Sequence, residues 1–163
     1  MDKSFIASAG EHFVLYKLHS LDLLAAAAPR GFRDVDIIVL MPDQTVAASV
    51  QVKTRRHGSS GGWPMSEKHE SLLLPNLFYC FVDLEPSEPV TYVLPCKTVA
   101  DFLTKAHAAW LASPGKHGQQ HNETSMRQLT PTCRYNLAGY KGRWLDKYRE
   151  KWSLIQEAKR PAV

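Results

Sequence analysis

The chain has 163 residues, 44% hydrophobic and 22% charged, with a formal net charge of +4 and a pI near 9.0. This is enough for one domain with a sizeable core, and the balance is that of a soluble globular protein rather than a disordered or fibrous one. Three widely spaced cysteines without a CxxC exclude a disulfide framework and a cysteine zinc site and suit a reducing cytoplasm, while the modest basic excess fits an acidic partner such as nucleic acid without requiring one.

In chain order, Ser4 to Ala28 is predicted as one helix closed by the breaker "APRG". Glu11 falls inside its apolar stripe with Ala7, Val14, Leu15, Leu18 and Ala25, a costly place for a carboxylate unless something compensates it. Two strands follow, Asp34 to Leu40 and Val46 to Thr54, joined by the turn-like "MPDQT". "HGSSGGWP" is expected to be a mobile loop and Ser66 to Leu73 a short polar helix. "NLFYCFVDL" suits a buried central strand, "EPSEP" a turn and "VTYVLP" another strand. Thr98 with Asp101 resembles a capping pair opening a helix to about Ala112. Ser113 to Lys141 is loop-like, and a last helix over about Gly142 to Lys159 places Trp144, Tyr148, Trp152 and Ile155 at helical spacing, a stripe suited to core or interface packing. No segment approaches the ~20 apolar residues of a bilayer span. The order of elements predicts an α/β fold, a mixed sheet flanked by helices.

The chemistry concentrates in "RDVDIIVL" and "SVQVKTRR". Gln51 and Lys53 share a face of their strand, and a hairpin symmetric about the Asp43–Gln44 boundary puts Asp36 opposite Gln51 and Asp34 opposite Lys53, with Cβ atoms ~5 Å apart. A bulge would shift that register. Hard divalent cations take oxygen ligands, and Asp36, the Gln51 carbonyl, the Val52 backbone oxygen and Glu11 through water can supply them. Lys53 beside such an ion can orient water or stabilise charge on a phosphoryl oxygen. The plainer alternatives stay open: an Asp36–Lys53 ion pair, Glu11 paired with Arg33, and Asp34 as the metal carboxylate. Arg55, Arg56, His57 and Lys68 read as a phosphate-contacting rim or as a solvated basic loop. Trp63 reads as a base-stacking side chain or as a hydrophobic plug. His107, His117 and His121 lie on loop-like sequence without a cysteine spaced to join them, which disfavours zinc.

The ordered set of Glu11 in "AGEHFVLYKL", Asp36 in "RDVDIIVL", and Gln51 and Lys53 in "VQVKT" resembles the PD-(D/E)XK nuclease superfamily, the fold of many restriction enzymes, Holliday junction resolvases and tRNA-splicing endonucleases. The resemblance covers roughly Ala9 to Arg56 and continues through "WPMSEK" and "NLFYCFVDLEP". It implies a single domain over 1–163 with a restriction endonuclease-like core at about 4–112, the segment from about 113 to 160 packing on it. It further implies Mg²⁺- or Mn²⁺-dependent hydrolysis of phosphodiester bonds, in DNA before RNA, with Glu11, Asp36, Gln51 and Lys53 catalytic and Asp36, Gln51 and Val52 on the metal. A homodimer is compatible with it. Two departures stand out: Val35 where Pro is frequent, and Gln51 for the usual Glu, which removes a negative charge and with it metal affinity. The Q-x-K variant admits both active members and inactive ones that only bind nucleic acid or a protein partner. A scaffold that oligomerises through its last helix is the remaining rival.

Overall fold

Asp2 caps the first helix by accepting from the Ser4 amide at 3.0 Å, and α1 runs Lys3–Ser20. The computed structural model describes residues 2–29, 31–43, 45–56 and 61–158, with Lys3 by its backbone alone. Eight residues predicted as the end of this helix are something else. Asp22 turns through a left-handed backbone (φ 57), and β1 (Leu24–Ala27) pairs antiparallel with β2 (Ile37–Leu40). Helix propensity in "LAAA" is worth tenths of a kcal/mol per residue, and strand pairing outweighs it. Ala25 therefore belongs to the sheet, not to the stripe around Glu11.

The remaining elements are β3 (Val46–Arg55), β4 (Trp63–Ser66), a 3₁₀ turn (Glu67–Glu70), β5 (Leu77–Asp83), β6 (Val90–Pro95), α2 (Cys96–Ala112), β7 (Met126–Leu129), β8 (Cys133–Leu137), β9 (Tyr140–Gly142), a second 3₁₀ turn (Trp144–Tyr148) and α3 (Ser153–Ala158). A mixed five-stranded sheet runs in the order β1-β2-β3-β5-β6, with β3 and β5 parallel and the other neighbours antiparallel. All seven residues of β5 are buried, as a strand covered on both faces requires. β2 and β3 pair Ile37 with Val50, Ile38 with Ser49 and Val39 with Ala48, the symmetric register; a bulge at Leu40 shifts only the end next to the turn.

Two cores sandwich the sheet. One holds Val14 and Leu18 of α1, Val50, Val52, Cys80 and Val82 of the sheet, and Trp152 and Ile155. The other holds Tyr79 and Phe81 of β5, Val99, Phe102 and Leu103 of α2, and Trp63, Leu129, Trp144 and Leu145. The predicted C-terminal helix breaks where Gly142 (φ 54) and Glu150 (φ 48) adopt left-handed backbone, so Trp144 and Trp152 enter opposite cores instead of sharing one stripe. Part of the segment expected to be loop forms β7, which pairs with β4, and β8, which pairs with β9. Thr98 lies inside α2, whose N-cap is Pro95, and Asp101 pairs with Lys105 and accepts from Tyr140 instead of capping. Among the described residues no helix is long and apolar enough to cross a membrane.

Candidate functional site

β2 begins at Ile37, whereas β3 continues to Arg55, so the far half of β3 has an edge that β2 does not cover. Asp36 works at that edge. Its amide donates to the Val50 carbonyl at 2.9 Å, and its Oδ2 accepts from the Val52 amide at 2.7 Å. Arg55 O and Ser49 N bond toward β5 and Asn76, so the odd-numbered residues of β3 send their peptide groups that way. The even-numbered ones face the uncovered edge. The Val52 carbonyl therefore points to the same side as its amide, toward Asp36.

Side chains alternate across the sheet. Val50 and Val52 enter the α1 core, and Gln51 and Lys53 face the α2 side, in register with Tyr79 and Phe81 of β5. Gln51 is 5% exposed, and its Oε1 has no hydrogen-bond partner. Asp34 sits in left-handed backbone (φ 62) and pairs through Oδ1 with Lys68 Nζ at 2.5 Å, rather than continuing β2 opposite Lys53. Next to Lys68, the buried His69 bonds through Nδ1 to Tyr79 Oη at 2.7 Å.

Glu11 comes from the other face. Gly10 packs so closely on Thr54 that a Cβ there would overlap the threonine side chain, which sets α1 against β3 beside Asp36. Burial raises the Glu11 pKa, and the Asp36 charge raises it further. Burial lowers the Lys53 pKa and Lys68 adds to that, while Asp36 and Asp34 oppose it. The Lys68 hydrogen bond holds Asp34 below the usual carboxylate range, with a smaller contribution from Gln51. Burial, then Lys53 and Lys68, press His69 down to about 4, so it is neutral at pH 7. The groups thus sense one another electrostatically, and Asp36 and Lys53 form no direct ion pair among the described residues.

The expected nucleic-acid rim is largely redistributed. Arg55 pairs with Asp83 at 2.5 Å, its side chain only 12% exposed, and its guanidinium lies 4.2 Å from the Trp63 ring centroid. It is a structural cation. Trp63 is fully buried and donates its indole N–H to Val82 O at 3.0 Å, so it plugs the core and cannot stack on a base. Lys68 is exposed but tied to Asp34, and Arg56 is exposed just past β3. His57 lies outside the described residues. His69 and Tyr79 escaped the sequence reading: "SEKHE" looks like a solvated turn, and only the parallel β3–β5 pairing brings Tyr79 beside Gln51.

Among the described residues, no group of three or more His, Cys, Asp and Glu side chains is close enough to hold a metal ion. The oxygen set at this edge is mixed: the Asp36 carboxylate, the unpartnered Gln51 amide oxygen and the Val52 carbonyl, with Glu11 across the sheet. Comparison with known proteins found no matching family model and no matching curated protein. A solved structure of similar fold is that of a bacterial homing endonuclease, I-Ssp6803I, at a TM-score of 0.55 and 16% identity, covering 96% of this chain and 94% of the other. The chain shares that endonuclease's mixed α/β architecture.

Proposed function

We propose that this protein is a PD-(D/E)XK-type nuclease that hydrolyses phosphodiester bonds in DNA with the help of Mg²⁺ or Mn²⁺. The observation that carries this is the Gln51 Oε1, buried and without a partner near the Asp36 edge of β3. A buried carbonyl oxygen left unpaired costs about 1–3 kcal/mol, and such cost is retained where a ligand will satisfy it. The donors suit a hard cation in kind, since all are oxygens, and with Asp36 as the one carboxylate among the three they would hold it weakly. The order of Glu11, Asp36, Gln51 and Lys53 in the sequence and the endonuclease-like fold support the same reading.

Asp36, Gln51 and Val52 would hold the ion, which when bound supplies a Lewis acid and lowers the pKa of water. The Val52 amide fixes one Asp36 oxygen and leaves Oδ1 for the ligand. Lys53 is half-buried, and among the described residues no carboxylate pairs directly with its ammonium. That leaves the ammonium to stabilise the charge growing on a phosphoryl oxygen or to orient the attacking water. Glu11, its carboxyl held toward the protonated form, would bind a water of the ion or hold a proton at this site. Lys68, in the turn after β4, and Arg56, just past β3, are exposed cations that would meet backbone phosphates. One site cuts one strand, so cleavage of both strands of a duplex calls for two copies, as a homodimer supplies.

The test is cleavage of plasmid, single-stranded DNA and RNA with Mg²⁺, Mn²⁺ or EDTA. Metal-dependent cleavage of DNA is expected, and Lys53→Ala should slow it about 10²-fold or more while changing DNA affinity little. Cleavage unaffected by Lys53→Ala would remove the assignment. A second reading, a module that binds nucleic acid without turnover, is favoured by the small number of carboxylates at the site. Retained DNA binding with no cleavage under any metal would select it.

A further inference from the structure

We infer that the β8–β9 hairpin and the 3₁₀ turn after it form a second nucleic-acid surface, one that grips the backbone of duplex DNA away from the bond to be cut. It rests on the nuclease reading only for the choice of DNA as the polyanion.

Between Arg134 and Lys151 the chain carries six cations, Arg134, Lys141, Arg143, Lys147, Arg149 and Lys151, against two acids, Asp146 and Glu150. The chain as a whole has 20 basic and 16 acidic residues, so 14 of each remain elsewhere and cancel. The entire net charge of +4 therefore sits in this one stretch. All six cations are exposed. Arg143 pairs with Asp146 at 2.8 Å. Glu150 is turned away: it accepts from the Thr91 amide and the Trp152 indole and pairs with Lys17. Among the described residues the other five cations pair with no carboxylate. Elsewhere the fold neutralises its cations, as with Arg55 and Asp83, Lys68 and Asp34, or Arg127 and Glu70. Here it leaves like charges together, at a cost in self-repulsion.

The charges also share a surface. Cys133 lies opposite Gly142, which sets Arg134 beside Lys141, both pointing away from the core that Cys133 and Tyr140 join. Lys141 and Lys147 line one shallow depression of about 350 Å³ with Gly139 and Trp144. Arg134 lies over the Tyr135 ring and Lys147 over the Tyr148 ring, at 4.9 and 5.1 Å from the centroids. An aromatic face holds a cation in place without cancelling its charge. Arg149 bridges to Tyr92 of β6, two strands and about 10 Å from β3. The surface is thus separate from Asp36, Gln51 and Lys53. Duplex DNA, with a phosphate charge every ~1.7 Å of axis, is the complementary partner.

The test is the salt dependence of binding to a labelled duplex, read by fluorescence anisotropy in EDTA. Replacing Arg134, Lys141 and Lys147 together by Gln should weaken binding about tenfold or more near 0.15 M salt and make the slope of log K against log salt shallower by about 2–3 units. Lys141→Gln alone, a milder change, should remove about one unit. A control that replaces the exposed Arg33, Lys97 and Lys116 by Gln loses the same charge and should bind within about threefold of wild type. Equal losses in the two triple variants, or an unchanged slope in the first, overturn the surface. So does wild type that binds vesicles containing phosphatidylserine but no duplex. Binding that depends on the three residues in a protein that cleaves nothing supports the surface and overturns the nuclease assignment alone.

Discussion

Arg55 and Lys53 stand two residues apart on one strand, and their side chains have opposite fates. Arg55 is neutralised by Asp83 and seated on Trp63; Lys53 is half-buried and pairs directly with no carboxylate among the described residues. A cation already satisfied by a buried carboxylate has little to gain from a phosphate. Arg55→Ala should therefore act on stability: Asp83, 9% exposed, would be left without its counter-charge, and removing one member of a buried pair costs about 3–5 kcal/mol. Urea unfolding should show that loss, while DNA affinity of the folded protein stays within about twofold. A large affinity loss without a change in stability would return Arg55 to the rim. From sequence the two arginines after Lys53 looked alike, because the carboxylate that claims one of them lies 28 residues downstream.

At the scale of elements, the junction between α1 and β3 sets the distance from Glu11 to Asp36. Gly10 is needed there for lack of a side chain. Gly10→Ala should gain up to about 1 kcal/mol of helix propensity yet lose more by forcing α1 off Thr54, for a net destabilisation of about 1–2 kcal/mol in a denaturant titration. The hairpin that carries Asp36, Gln51 and Lys53 was legible because alternation and a short symmetric turn specify register, and the bulge at Leu40 falls on the harmless side. β5 and β6 were legible as apolar runs between turn residues. What the sequence hid depends on distant partners. "LAAA" is a strand because β2 offers it an edge, β4 exists because β7 pairs with it, and the C-terminal stripe divides because two left-handed residues redirect the chain. Asp34, placed in the hairpin by its neighbours' alternation, leaves it for the same backbone reason.

Across the whole molecule, the sheet separates two apolar cores, and several titratable groups, Glu11, Asp36, Lys53 and His69 among them, influence one another around β3. Folding there is linked to protons. His69 has its pKa lowered to about 4 in the folded chain, against 6.5 for an ordinary histidine. Between those values the unfolded chain binds a proton that the folded one refuses, so stability should fall as pH drops from 6.5 toward 4 and be flat above. The limit for this shift is about 3 kcal/mol. Glu11 works the other way, since its raised pKa makes acid favour the folded state around the carboxylate range. The informative quantity is therefore the difference between wild type and His69→Gln in urea midpoints across pH 4–7. It should shrink toward zero at the acid end, and a difference independent of pH would place the imidazole elsewhere.

The uncovered edge of β3 also bears on how this protein meets other chains. An unpaired strand is a template on which a second β-strand can grow, and proteins guard against that with whatever blocks the exposed amides. Here the guard is the Asp36 carboxylate, which receives the Val52 amide where a neighbouring strand would have placed a carbonyl. The residue assigned to chemistry is thus also a shield against edge-to-edge association. Removing it by alanine would bare the amide and confound a loss of cleavage with a gain of self-association. Asparagine, which keeps an accepting oxygen and discards only the charge, is the substitution that keeps the two apart.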